Sequence, residues 1–210
     1  MFASRFEAGS LLAQKLLSEK LTEVVLLAIP RGGVAVAEAI SQNFGWPLFL
    51  IVTKKLSSPQ NEELAIGAVG EDARSAFFNQ ELIDQLGVDD DCLGQEIRLK
   101  TAEVKRRQRS LAVQDRPPLV GKKVVIVDDG AATGATMVAA IRQVKGGEGP
   151  DEVIVAVPVV ADSALEMIKG EADRVIYLKK PKIFFSVSQF YQNFDQVSEG
   201  EVKRILSAQE

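Results

Sequence analysis

Asp128 and Asp129 stand side by side at the end of the apolar run Val124–Val127, and a loop of small residues, Gly130-Ala131-Ala132-Thr133-Gly134-Ala135-Thr136, follows them. Two adjacent carboxylates at a strand end repel each other and lose hydration, so packing alone disfavours them. They become favourable when each accepts a hydrogen bond from a hydroxyl, or when a cation lies close. The vicinal 2′- and 3′-hydroxyls of a ribose meet the first condition. The plain alternative is an acid pair at a turn, one member capping the next helix.

The loop itself suits a phosphate. Its small residues let an anion approach the backbone, and successive N–H groups at a helix start form a nest at the positive end of the helix dipole. Thr133 and Thr136 add hydroxyl donors. Ala135 and Thr136 follow Gly134, so the lysine of a nucleoside-triphosphate P-loop is absent, and so is the dinucleotide pattern GxGxxG. A haloacid-type phosphatase needs Asp-x-Asp, whereas these acids are adjacent.

A second loop, Ile29-Pro30-Arg31-Gly32-Gly33-Val34, also leaves an apolar run. Gly32 and Gly33 free the backbone for another anion and Arg31 supplies charge. Lys54 and Lys55, just past Leu48–Val52, would face the same edge; two solvated lysines are the alternative.

Composition narrows the chemistry. The 210 residues contain no histidine, which removes serine–histidine and cysteine–histidine catalysis and imidazole-based zinc sites. A single cysteine, Cys92, cannot form an internal disulfide and reads as an inert thiol in a reducing cytosol. Lys plus Arg is 25 against 29 for Asp plus Glu, a net charge of −4 that gives no sign of a nucleic-acid partner. The N-terminal residues lack an apolar signal region, and the longest apolar run, Val153–Ala161, is about half the ~20 residues a spanning helix needs. The expectation is a cytoplasmic protein without a membrane partner.

The elements that must hold these loops are also legible. Val24–Ile29, Leu48–Val52, Val124–Val127, Val153–Val157 and Val175–Leu178 are β-branched and nearly continuous, the pattern of parallel strands covered on both faces. Helical patterns at Val34–Ile40 and Thr136–Val144 separate some of them, ending at Gly45 and at Gly146-Gly147. Ser163 with Glu166, and Ser198 with Glu201, sit at capping-box spacing. The fold class is α/β, a doubly wound parallel sheet that binds ligands at the carboxyl ends of its strands. The 1–210 chain reads as one domain with an insertion at about 71–117 and a hood segment at about 181–210. At the start of the insertion, Ile66–Val69 just upstream and Ala76–Phe78 within it read as an antiparallel hairpin, and Glu81–Leu86 and Leu93–Leu111 read as helices. The hood holds Phe184, Phe185, Phe190, Tyr191 and Phe194, an apolar wall or core.

Val125–Thr136 resembles the phosphoribosyl pyrophosphate signature of type I phosphoribosyltransferases: a strand, two acids, a few variable residues, then Thr-Gly-x-Thr. Pro30–Gly33 resembles the pyrophosphate loop of that family. The whole chain is similar to a set of stand-alone phosphoribosyltransferase-like proteins, in which segments like Glu63–Val69 and Phe185–Phe194 recur. The resemblance implies a parallel core sheet, a mobile catalytic loop and a hood over the base. It assigns the ribose hydroxyls to Asp128 and Asp129, and the 5′-phosphate to the loop Gly130, Ala131, Ala132, Thr133, Gly134, Ala135 and Thr136. Pyrophosphate falls to Arg31, Gly32 and Gly33, with Lys54 beside them. Magnesium would reach Asp128 and Asp129 through water. The basic segment Lys100–Arg109 would close over the site, with Lys105 and Arg107 as reaching catalytic side chains beside Arg31; a solvated helix face is the alternative. Alanine at position 132, where 6-oxopurine enzymes carry a third acid, favours the adenine-type pattern without naming an acceptor. No general base emerges, since Glu62 and Glu63 have an ordinary surface explanation.

The implied activity is magnesium-dependent transfer of phosphoribosyl to a nitrogen nucleophile, a nucleobase, in nucleotide salvage by a homodimer. The alternative is a regulatory protein that binds phosphoribosyl pyrophosphate without turning it over.

Overall fold

The computed structural model describes the chain apart from residues 60, 112–114, 148 and 209–210, with backbone alone at 62 and 63. The side chains of Glu62 and Glu63 thus lie outside the described residues, as does part of the 71–117 segment.

The five apolar runs form one sheet of parallel strands: β1 (Val24–Ala28), β2 (Leu48–Leu50), β6 (Lys123–Val127), β7 (Glu152–Val159) and β8 (Arg174–Lys179), in the order β2-β1-β6-β7-β8. The chain winds outward from β1 to β2, then returns to place β6 on the other side of β1. The strand order therefore reverses between β1 and β6, the point where open α/β sheets bind ligands. Ala28 pairs with Val127 in register, so the loops that leave β1 and β6 start side by side.

Both faces of the sheet are covered. On one, Leu12 and Leu16 of α1 (Arg5–Leu17), Val34 and Ile40 of α2 (Gly32–Phe44) and Val202 and Ile205 of α7 (Glu199–Ser207) bury Leu26, Val125 and Ile154. On the other, Met137, Val138 and Ile141 of α5 (Ala135–Lys145) and Leu165 and Ile168 of α6 (Asp162–Lys169) bury Leu27, Ile126 and Val155. Each such side chain contributes roughly 1.5–3 kcal/mol of burial. Gly9 lets α1 and α2 touch: a Cβ there would lie 2.2 Å from the Val36 carbonyl oxygen.

A second, antiparallel sheet holds β3 (Lys54–Ser58), β4 (Asn61–Val69) and β5 (Phe77–Phe78), in that order. The expected hairpin is present, with Ala68 opposite Phe77 and Gly67 opposite Phe78. The strand β3 is an addition that places Lys54 and Lys55 within a ladder, opposite Val69 and Ala68. The departure from the parallel sheet therefore begins at Lys54, upstream of residue 71. Two helices, α3 (Gln80–Leu86) and α4 (Asp90–Ser110), complete this lobe, and Val104 of α4 is fully buried. The basic stretch Lys100–Arg109 is thus the second half of a packed 21-residue helix rather than an open loop.

Two caps were expected and one forms. The Ser198 hydroxyl accepts the Glu201 amide at 3.1 Å. Ser163 does not cap: α6 starts two residues earlier than that cap would place it, Ala161 occupies the cap position, and Asp162 in the first turn pairs with Lys180 at 2.6 Å. Among the described residues, no helix is long and apolar enough to cross a membrane.

Candidate functional site

Asp128 and Asp129 emerge from β6 into a half-buried position. The Asp129 amide donates to Oδ1 of Asp128 at 2.8 Å, and Arg5 donates from Nε to Oδ2 of Asp129 at 2.7 Å. The Tyr191 hydroxyl donates to the Asp129 main-chain carbonyl at 2.6 Å. Burial pushes the Asp128 carboxyl well above the usual carboxylate range, and the neighbouring charge of Asp129 adds to the rise. Asp129 is also raised by burial, with the Arg5 guanidinium pulling the other way. Arg5 offsets part of the cost of bringing the two acids together, and the rest is costly in the absence of donors that reward it.

The first loop lies directly against these acids. A Cβ on Gly32 would sit 1.9 Å from Oδ2 of Asp129, and one on Gly33 would sit 2.7 Å from the Val127 carbonyl oxygen and 2.9 Å from the Asp128 Cα. The two glycines are therefore demanded by the close approach of the acid loop, a reason the sequence does not reveal. The Gly33 amide is already committed to the Ile29 carbonyl at 3.1 Å, so Gly33 supplies room rather than a donor. The Pro30–Arg31 peptide is cis, and Arg31 opens α2 with no side-chain cap bond.

The second loop divides in two. Ala131 bridges to β7, its amide donating to the Val159 carbonyl at 2.9 Å, so it too is removed from any anion nest. Gly134 adopts φ +79°, a conformation that suits glycine, and α5 begins at Ala135. The unpaired first-turn amides of α5 thus start where the sequence placed them. Ala132 and Thr133 are exposed and Thr136 is half-buried. Gly130 has a packing role, since a Cβ there would meet Val187 Cγ1 at 2.7 Å.

Beside these loops lies a cavity of about 400 Å³, lined by Pro30, Arg31, Thr53, Lys54, Lys55, Lys100, Glu103, Arg107 and Thr136. It brings together Arg31, Lys54, Arg107 and Thr136, all singled out from the sequence. Lys105 is not among the lining residues and is exposed. The helix explains the difference: positions 100, 103 and 107 share a face at 3.6 residues per turn, while 105 lies on the far side. The Thr53 hydroxyl is buried without a partner among the described residues. Glu103 accepts from Lys100 at 3.1 Å and pairs with Lys54 at 3.2 Å. Burial pushes the Glu103 carboxyl up, but the hydrogen bonds and charges of Lys100 and Lys54 outweigh it and hold the group below its ordinary value.

Arg5 escapes sequence reasoning, and Tyr191, read there only as a hood aromatic, escapes it as a partner of Asp129. Ser4 and Glu7 are spaced as a capping box, and the Ser4 hydroxyl accepts the Glu7 amide at 3.2 Å, so α1 had a signal. Nothing local shows that its first residue reaches an acid 124 positions away.

The family model "Phosphoribosyl transferase domain" matches residues 3–194. The chain belongs to the phosphoribosyl transferase family. It is 41% identical over 207 residues to a Mycobacterium tuberculosis (strain H37Rv) protein named "Putative phosphoribosyl transferase Rv0571c", a match covering 98% of this chain and 46% of that protein. The chain thus spans about half the length of its mycobacterial relatives. The crystal structure of TT1426 from Thermus thermophilus shares 37% identity and a TM-score of 0.81, covering 98% of this chain and 97% of that one. The structure of AQ2163 from Aquifex aeolicus shares the fold alone, at 16% identity and a TM-score of 0.53 over 97% of this chain and 85% of that one. The fold class, and the family that the Val125–Thr136 motif resembles, are both borne out.

Proposed function

We propose that this phosphoribosyl transferase domain moves the phosphoribosyl group of phosphoribosyl pyrophosphate onto a nitrogen nucleophile and releases pyrophosphate. One observation carries the reading: the acid loop and the Arg31 loop leave adjacent strands in register, beside a cavity that gathers Arg31, Lys54, Lys55, Lys100 and Arg107 around Thr136.

In this reading Asp128 and Asp129 accept the two ribose hydroxyls. The amides of residues 132–136 and the hydroxyls of Thr133 and Thr136 hold the 5′-phosphate. Arg31 and Lys54 hold the pyrophosphate, with Lys55, Lys100 and Arg107 at the same cavity. The bond from the anomeric carbon to pyrophosphate oxygen breaks, and its electron pair leaves with pyrophosphate. The nucleophile's lone pair forms the new carbon–nitrogen bond, and its surplus proton passes to solvent. Positive charge grows on the sugar while negative charge grows on the leaving group, so fixed cations at the leaving group lower the barrier.

Magnesium fits as an ion carried by the substrate. Among the described residues no group of three or more acids, histidines or cysteines forms a protein cage, and Asp128 and Asp129 each commit one oxygen within the protein. The ribose hydroxyls would take the free carboxylate oxygens, any contact of the acids with the ion would be indirect, through water, and the ion would add charge neutralisation at the pyrophosphate. A nucleobase acceptor, a homodimer and a place in nucleotide salvage come with the family resemblance.

The test is incubation with magnesium, phosphoribosyl pyrophosphate and a panel of nucleobases, following pyrophosphate release. Release that depends on one base supports transfer and names the acceptor. Binding with no release across the panel contradicts transfer and leaves a sensor of phosphoribosyl pyrophosphate.

A further inference from the structure

Phe2 and Ala3 are braided with the segment Phe190–Asn193 beside the acid pair. The Phe2 amide donates to the Phe190 carbonyl at 2.7 Å, the Gln192 amide to Phe2 at 2.8 Å and the Asn193 amide to Ala3 at 3.1 Å. This braid delivers Arg5, the first residue of α1, to Asp129 from outside the signature motif. The guanidinium is fixed on three sides: Nε on Oδ2 of Asp129 at 2.7 Å, Nη1 on the Asp195 carbonyl at 2.8 Å, and its plane 3.7 Å from the Phe194 ring centroid. Both charged partners are shielded, with side chains 11% and 15% exposed, so the pair is only weakly screened. Tyr191 grips the main chain of the same aspartate. Gly32 leaves the space, since a Cβ there would collide with Asp129 and come within 3.1 Å of Arg5 Nε.

We propose that Arg5 is a positioning residue for recognition of the sugar diol, resting on the phosphoribosyl reading above. It binds one oxygen of Asp129, while the Asp129 amide binds one oxygen of Asp128. One oxygen of each acid is thereby left for one hydroxyl of a vicinal pair. The positive charge also offsets repulsion between the two carboxylates, which lets both stand ready as acceptors. Arg5 touches neither phosphate nor pyrophosphate in this scheme, so its influence is confined to the diol.

That confinement gives the test. Calorimetric affinities are measured for ribose 5-phosphate, 2-deoxyribose 5-phosphate and magnesium pyrophosphate, on the wild type, Arg5→Met and Arg5→Lys. Arg5→Met is expected to weaken ribose 5-phosphate roughly tenfold, the scale of a lost charge-assisted hydrogen bond. It should leave pyrophosphate within about twofold and erase the preference for ribose over deoxyribose. Arg5→Lys should recover part of that preference, since charge returns without the planar fork. Equal loss of ribose 5-phosphate and pyrophosphate would show a merely structural residue. Unchanged or tighter ribose 5-phosphate binding would also overturn the proposal. Where Arg5→Met lowers the melting point enough to unfold the domain, Arg5→Lys read by the same ribose-to-deoxyribose ratio decides it. A wild type that binds none of these ligands, nor phosphoribosyl pyrophosphate itself, fails at the parent reading, a different result from any variant effect.

Discussion

Glu103 of helix α4 is tied to Lys54 of strand β3, carboxylate oxygen to ammonium nitrogen at 3.2 Å, and the same carboxylate accepts from Lys100 at 3.1 Å. The cationic cavity therefore carries one acid of its own, which occupies two of the lysines. An incoming pyrophosphate must compete with Glu103 for them.

Glu103→Gln is accordingly expected to tighten magnesium pyrophosphate binding a few-fold, a modest gain because Lys54 is about a third exposed and the pair is screened. Calorimetry at low and high salt checks it, and the gain should shrink as salt rises. Weaker binding by the variant would mean that Glu103 orders the lysines rather than competing for them.

Gly32→Ala places a methyl group 1.9 Å from Oδ2 of Asp129 and must displace that carboxylate. Overpacking of this kind costs about 1–3 kcal/mol. Affinity for phosphoribosyl pyrophosphate should fall by about tenfold or more. Gly45→Ala is the control, at a left-handed C-cap where a Cβ has open space around it. It should cost about 1 kcal/mol of stability through backbone strain, seen as a lower melting point, with binding intact. Equal binding loss in both variants would detach Gly32 from the acid pair.

How much of this was readable in the sequence varied with the range of the interaction. The five buried strands were legible because β-branched runs such as Val124–Val127 have one physical use in a globular chain. The acid loop was legible because its residues are contiguous and each has a distinct chemical demand. Strand β3, Lys-Lys-Leu-Ser-Ser, was not, since Leu56 alone gives it an apolar face and its pairing with β4 is bulged. The contacts of Arg5 and Tyr191 were not, because the two meet Asp129 only once Phe2 and Ala3 pair with Phe190–Asn193. Lys105 drew attention by charge, and only helix phase separates it from Arg107. The glycines of Gly32-Gly33 were noticed for their freedom, whereas what they supply is absence of a side chain against Asp128 and Asp129.

Tyr191 gives a pH prediction. Burial, and then the charge of Asp129, push its phenol far above the ordinary value near 10. A group raised in the folded state contributes stability that is complete below its unfolded pKa and is lost as pH climbs toward the folded value. The chain has two tyrosines, so Tyr177→Phe leaves Tyr191 as the sole phenol. Its phenolate absorbance should stay absent through about pH 10 and appear together with loss of helical circular dichroism. A phenolate signal near pH 10 with the fold intact would place Tyr191 in contact with solvent.

The grip of the acid pair on the sugar is the centre of the account, and calorimetric titration of phosphoribosyl pyrophosphate with magnesium tests it most directly. The wild type is compared with Asp128→Asn/Asp129→Asn, whose fold is checked by its melting point. The account predicts an affinity loss of at least about tenfold in the double variant, with the domain still folded: removal of two raised acids favours the fold, while loss of the Arg5 partner opposes it. Undiminished affinity for phosphoribosyl pyrophosphate in that variant would contradict it.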